Sequence, residues 1–206
     1  MRDKLILFPC NGNAKEALDC IDYKKYDLIG FVDDDNLKTG KKILGYKVFN
    51  RGLFDEFPNS KVLAVPGGPS NYKIRCEILN NLKLNKSRYI SIHHPKASIS
   101  KHAKIGLNCL FMEGVVIKAN AEIGDNVCIL PNSVIHHDSK IDDNCLIGSM
   151  VVVAGNVSVG KNCYIGSKSS IKNDLTISPN TLVGIGSNVV TNSIGNEIIY
   201  GNPAKS

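Results

Sequence analysis

The sequence predicts a two-part chain: a small Rossmann-like α/β domain with a parallel sheet over residues 1–92, then a parallel β-helix of hexapeptide repeats over 93–206, closed by a short tail. Three observations predict it. A large apolar residue recurs every sixth position from Ile99 to Val189. Small side chains stand two positions before most of these, at Ala97, Ala103, Cys109, Ala121, Ser133, Ser139, Cys145, Cys163, Ser169, Thr181 and Ser187. Upstream of the ladder, short apolar runs alternate with amphipathic segments and turn signals, the pattern of a parallel sheet with crossover helices.

In the first ninety residues, Leu5–Phe8 reads as a buried strand. Asn11-Gly12-Asn13 is a turn, after which Asn13 is placed to cap a helix over Ala14–Ile21. Leu28–Val32 is a second strand, closed by Asp33-Asp34-Asp35, and Lys61–Val65 a third, running into Pro66-Gly67-Gly68-Pro69. Tyr72–Leu82 has helical periodicity, and Tyr89–Ile92 is the last strand before His93-His94-Pro95. Ligands of such sheets bind beyond the carboxyl ends of the strands. The candidate loops are therefore Pro9–Asn13, Asp33–Asp35 and Pro66–Pro69. Backbone N–H groups at a helix start can hold phosphate, and a carboxylate after the second strand can accept from a sugar hydroxyl. There is no G-x-G-x-x-G, which argues against dinucleotide redox chemistry.

The ladder itself comprises Ile99, Ile105, Phe111, Ile117, Ile123, Ile129, Ile135, Ile141, Ile147, Val153, Val159, Ile165, Ile171, Ile177, Val183 and Val189. Neither helical periodicity nor simple alternation yields it. Each hexad makes a flat strand and a corner, and three hexads close a coil. Residue n then stacks on n+18 at strand spacing, about 4.8 Å, with the ladder inside a prism of about five coils. Small residues and the glycines that often follow the ladder are expected where the backbone turns tightly or takes φ > 0.

Bulk properties narrow the function. The net charge is +6 with no run of five like charges, so nucleic acid is not indicated. A modest positive excess suits polyphosphate ligands. No apolar run is long enough to span a membrane, and the N-terminus lacks the pattern of a signal peptide, so a cytoplasmic location is expected. The seven cysteines include no CxxC pair. No metal site is expected, and Cys109, Cys145 and Cys163 fall on small-residue positions as packing residues.

Four segments carry a family resemblance: Phe31–Asp35 followed by Ile43–Val48, Ser133-Val134-Ile135-His136-His137-Asp138, Ala154–Val157, and Gly201-Asn202-Pro203-Ala204-Lys205. In these and in the order of its parts the chain resembles the sialic-acid O-acetyltransferase-like family of bacterial sugar acyltransferases. It is most similar to N-acetyltransferases acting on UDP-4-amino-sugars in the bacillosamine pathway. The resemblance implies a left-handed β-helix, whereas a parallel β connection is by default right-handed. It implies acetyl-CoA as cosubstrate, a nucleotide-linked amino sugar as acceptor, and a homotrimer with active sites between neighbouring prisms. His137 would be the general base and Asp138 its orienting carboxylate. Gly155, eighteen residues beyond His137, would present its N–H to the thioester carbonyl. Ser167 and Ile185 would touch coenzyme A along the same edge, as would position 146, where this chain has Leu146 in place of a second histidine. Asn11, Gly12, Asn13, Asp33, Asp34 and Gly67 would hold the nucleotide sugar. Pro9 and Ala14 stand where the family commonly has glycine.

Other readings remain open on residues alone. Sugar O-acetylation uses the same base chemistry. A zinc hydrolase on the same prism, as in the γ-carbonic anhydrases, needs three converging histidines. Here His102 lies 34 and 35 residues before His136 and His137, and no third histidine completes the column. A non-catalytic scaffold would leave the α/β domain and its loops without a role.

Overall fold

The computed structural model describes residues 2–206. Its N-terminal half is a five-stranded sheet built from β1 (Asp3–Phe8), β2 (Tyr26–Val32), β3 (Lys42–Ile43), β4 (Tyr46–Phe49) and β5 (Lys61–Ala64) in the order β3-β4-β2-β1-β5. The pairs β1–β2, β1–β5 and β2–β4 are parallel, and β3 is the antiparallel arm of a hairpin with β4. Continuous burial of Leu5–Phe8 and of Val62–Ala64 is what a parallel sheet covered on both faces requires.

The helices are shorter than their periodicity predicts. The segment after β1 forms α1 (Gly12–Glu16), which passes into a 3₁₀ turn over Ala17–Cys20. Its N-cap is Asn11, not Asn13: the Asn11 side chain accepts from the Ala14 N–H at 2.9 Å. Leu53–Glu56 forms α2. The expected helix over 72–82 is a 3₁₀ turn, Tyr72–Ile74, leading into α3 (Arg75–Asn80). The expected strand at Tyr89 reduces to a single bridge with Val62, and pairing resumes at Ile92–His93, already in register with Leu110 and Phe111 of the prism.

From Ser98–Ile99 to Asn188–Val189 the chain forms sixteen two-residue strands. Every pairing joins n to n+18, as in Ile117↔Ile135, Ile123↔Ile141 and Ile129↔Ile147. The ladder residues form one core, with Ile99 and Ile105 only half-buried at its first coil. The small residues two positions earlier have a polar task as well. The Ser133, Ser139 and Ser169 hydroxyls and the Cys109, Cys145 and Cys163 thiols donate to carbonyls fifteen residues on. They thereby satisfy corner acceptors that would otherwise be buried unpaired.

One expectation about the corners is corrected. The left-handed positions are filled mainly by Asn and Asp: Asn108, Asn126, Asn144, Asn162 and Asn180 on one edge, Asn120, Asp138, Asn156 and Asp174 on another. These side chains tolerate that conformation. The glycines after the ladder are needed for closeness instead. A Cβ on Gly106 or Gly124 would lie 2.5 Å from a carboxylate oxygen of the next coil.

The prism has three unlike faces, read from the outward residue of each strand. Leu110, Cys128 and Leu146 lie on a face covered by the α/β domain. The second face carries Ser98, Val116, Val134, Val152, Ser170 and Asn188, without a charge. The third carries Lys104, Glu122, Lys140, Ser158 and Thr176. Chain order visits covered, uncharged and charged faces in turn. The edge between the uncharged and charged faces is therefore the one opposite the α/β domain.

Candidate active site and acceptor cleft

His137 and Asp138 sit on that opposite edge, in the corner between Val134–Ile135 and Lys140–Ile141. Asp138 occupies the left-handed position, φ 59°, which turns its carboxylate back onto the preceding residue. Its Oδ2 lies 2.7 Å from His137 Nδ1. The second oxygen accepts from Asn120 Nδ2 at 3.1 Å, one coil away. These two hydrogen bonds, that of His137 first, hold the Asp138 carboxyl below the usual carboxylate range. With Nδ1 engaged, the imidazole is oriented and Nε2 is left for chemistry; the ring is largely exposed. His136 is half-buried, and its backbone N–H donates to the Val153 carbonyl.

Gly155 stacks on this ring. A Cβ built there would lie 2.8 Å from His137 Cε1 and 2.9 Å from Nε2, closer than real contacts allow. Its φ is not in the left-handed region, so clearance for the imidazole, not backbone freedom, requires glycine here. Among the described residues nothing accepts from the Gly155 N–H, while the neighbouring Asn156 N–H donates to the His137 carbonyl. The imidazole and a free amide donor are thus adjacent on one edge.

Ser167 and Ile185 are one coil apart but not on that edge. They lie at the corner between the covered and uncharged faces, beside Lys168 and Gly186. The uncharged face separates them from His137. Ile185 is 76% exposed, and Met150 and Val152 also expose apolar surface on this side. Leu146 lies on the covered face, in the apolar core shared with the α/β domain, in ordinary contact distance of a Cβ built at Gly67.

The three loops singled out in the α/β domain do converge. A cleft of about 400 Å³ is lined by Phe8, Pro9, Asn11, Asp33, Asp34, Gly67 and neighbours on the Pro66–Asn71 loop. Much of its polar lining is engaged in holding the loops. Asn11, besides capping α1, donates to the Val65 carbonyl. Asp33 is buried; it accepts from the N–H groups of Cys10 and Asp35, both at 2.8 Å, and pairs with Lys38 at 2.9 Å. Asp34 is gripped bidentately by Arg51, at 2.6 and 2.7 Å. Gly12 is exposed and Asn13 half-buried at the start of α1, a helix of only five residues. None of the cleft lining comes from the His137 edge.

Comparison with known proteins decides the class of the prism. Residues 102–137 and 138–173 match the model of the bacterial transferase hexapeptide repeat. That repeat is what the middle of the prism is similar to. Solved structures match the whole chain. The acetyltransferase domain of PglB from Neisseria gonorrhoeae is 24% identical, with TM-score 0.86 over 99% of both chains. GDP-perosamine N-acetyltransferase from Caulobacter crescentus, solved as a histidine-to-alanine variant with CoA and GDP-perosamine, is also 24% identical, with TM-score 0.84 over 100% of this chain and 96% of that one. WeeI from Acinetobacter baumannii is 20% identical, with TM-score 0.82 over 100% and 99%. These likenesses establish that the α/β domain and the hexapeptide prism form one shared fold. No curated protein sequence matches the chain.

Beside this hexapeptide prism, sequence reasoning missed Lys38, Arg51, Arg75 and Asn120. Lys38 and Arg51 hold the two aspartates of the cleft. Only Asn120 was recoverable, because it stands eighteen residues before Asp138. Among the described residues no helix is long and apolar enough to cross a membrane. Among the described residues no three His, Cys, Asp or Glu side chains are grouped to hold a metal ion.

Proposed function

We propose that this protein is an acetyl-CoA-dependent N-acetyltransferase acting on a nucleotide-linked amino sugar. The observation that carries the reading is the His137–Asp138 pair with the free N–H of Gly155 against its ring. In direct transfer the amine nitrogen attacks the thioester carbonyl, His137 Nε2 takes the amine proton, and the C–S bond breaks. The proton returns to the departing sulfur, so an amide and free coenzyme A thiol result. The Gly155 N–H donates to the oxygen on which negative charge develops. Asp138 stabilises the imidazolium formed in passing. The relatives of known structure support the substrate class, one having been solved with CoA and GDP-perosamine together.

The acceptor belongs in the cleft between Pro9–Asn13, Asp33–Asp34 and Gly67. Because His137 is on the edge opposite the α/β domain, a cleft cannot use the histidine of its own chain. We assign it the histidine of a neighbour in a homotrimer. The uncharged face suits that contact, since it buries Val116, Val134 and Val152 without burying an ion. Such packing sets His137 of one prism against the Ser167–Ile185 edge of the next. The exposed Ile185 and Met150 at that corner fit the pantetheine arm of coenzyme A there. Cysteines that are all unpaired, and substrates that are cytoplasmic metabolites, fit a cytoplasmic enzyme.

The test is free-thiol release from acetyl-CoA with a panel of nucleotide-linked 4-amino sugars, their hydroxyl analogues and a chelator control, alongside light scattering. Turnover with an amino sugar, unaffected by chelator, in a particle of three chains is expected. Turnover only with hydroxyl acceptors would favour O-acetylation, and a catalytically competent monomer would refute the shared site.

A further inference from the structure

Arg75 begins α3 and is completely buried, yet no carboxylate pairs with it among the described residues. Its Nη2 donates to the Asn126 carbonyl of the prism at 2.7 Å. Nε and Nη1 have no protein acceptor. Cys109, Cys128 and Cys145 are its charge-sensitive neighbours, and burial pulls the guanidinium below its ordinary basicity. A buried cation without a counter-ion costs several kcal/mol, so stability is a poor reason for this residue.

Its stem shows what it does. A Cβ on Gly67 would lie 2.7 Å from Arg75 Cγ and 2.8 Å from Cδ. Gly67 has φ 103°, a conformation for which glycine is required, and it lines the cleft. The loop therefore rests directly on the arginine stem, and the head of the same side chain is tied to a prism corner. Within the loop, the Gly68 N–H donates to Asn71 Oδ1 at 2.7 Å and the Asn71 N–H to the Gly68 carbonyl.

We propose that Arg75 is a positioning residue: a strut that sets the Pro66–Asn71 wall of the cleft at a fixed height on the prism and thereby determines acceptor affinity. It touches neither substrate, and its effect passes through Gly67. This rests on the reading of the cleft as the acceptor site.

The experiment compares wild type with Arg75→Met, which keeps an apolar stem and loses the bond to Asn126, and Arg75→Lys, which keeps one cationic donor. Acceptor KM should rise about tenfold in Arg75→Met, the worth of one hydrogen bond from a charged group. Its kcat and its acetyl-CoA KM should stay near wild type, its Tm should be equal to wild type or higher because the unpaired buried cation is gone, and Arg75→Lys should recover most of the KM loss. Amide exchange at Gly68 and Asn71 should quicken in Arg75→Met alone. An unchanged acceptor KM with unchanged exchange overturns the proposal, and so does an equal loss for both substrates with a lowered Tm. If wild type binds no nucleotide sugar, the cleft reading fails. The exchange measurement then still decides whether Arg75 holds the loop.

Discussion

Replacing Gly155 by alanine separates catalytic placement from folding. The added Cβ would lie 2.8 Å from His137 Cε1 and 2.9 Å from Nε2, where carbon contacts settle beyond about 3.5 Å. The ring must retreat by at least about half an ångström, which changes where Nε2 is held while Nδ1 is tied to Asp138 at 2.7 Å. Misplacement on the scale of 1 Å costs on the order of 10²-fold in rate. Backbone strain is absent, because Gly155 does not occupy the left-handed region, and loss of glycine freedom in the unfolded chain stabilises by about 0.4–1 kcal/mol where the conformation is compatible. Thiol release should therefore show kcat down about a hundredfold, with Tm by scanning fluorimetry equal to or slightly above wild type. Gly160→Ala is the control: its Cβ would meet the ring and backbone nitrogen of Pro179 at 2.8 Å, so it should lower Tm and spare the kcat of the folded fraction. A Gly155→Ala enzyme with wild-type kcat would refute the placement of the imidazole against this glycine.

Four further outcomes follow from other parts of the molecule. Asp138 is held below the usual carboxylate range by His137 and Asn120, so its ionised form is present above the ordinary carboxylate pKa and is lost only as pH falls through the lowered value. Asn120→Ala removes one donor and should raise the Asp138 carboxyl pKa, followed by NMR titration of its side-chain carbon, and an unmoved titration would count against Asn120 as support. Of the seven cysteines only Cys76 is not buried, and burial pushes Cys20 and Cys128 up to about 12 and Cys109 to about 11. A thiolate reagent should thus titrate one thiol in the native protein and seven in denaturant, and rapid native reaction of more than one would contradict the packing. Asp33→Asn should cost about 1–3 kcal/mol of stability by denaturant unfolding, since a buried carboxylate there ties Cys10, Asp35 and Lys38 together. Asp34→Ala should instead raise acceptor KM and leave acetyl-CoA KM and stability nearly unchanged, and equal losses in both variants would erase the distinction.

The prism was legible in full because its code is redundant. Each ladder residue stacks on another eighteen away, so register is specified many times over and one irregular hexad cannot shift it. The stacking of Gly155 on His137 was legible for the same reason, being an eighteen-residue step, whereas the pairing of His137 with Asp138 was singled out by the family resemblance. The meaning of the glycines was not. Sequence suggests φ > 0, but Asn and Asp supply that conformation and glycine supplies clearance, a difference only the neighbouring coil reveals. Ser167 and Ile185 were set on the catalytic edge although they stand twelve residues out of step with Gly155, which is two faces of travel and a different corner. In the α/β domain the contacts are not periodic. The hairpin of β3 and β4 carries only short alternation around Lys47, and α1 and α3 end early. Whether an aspartate is free or spent on an arginine depends on Arg51, seventeen residues away in the turn before α2.

The central claim is that His137 takes the proton of a sugar amine during acetyl transfer. The most direct measurement follows the label from carbonyl-labelled acetyl-CoA by NMR with a nucleotide-linked amino sugar, in wild type and in His137→Ala. The account predicts an amide carbonyl in the wild-type product. It predicts a rate lower by about 10²–10⁴-fold in His137→Ala, with assembly and coenzyme A binding retained because the core position belongs to Ile135. Near-wild-type transfer by His137→Ala, or label recovered as an ester instead of an amide, would contradict it.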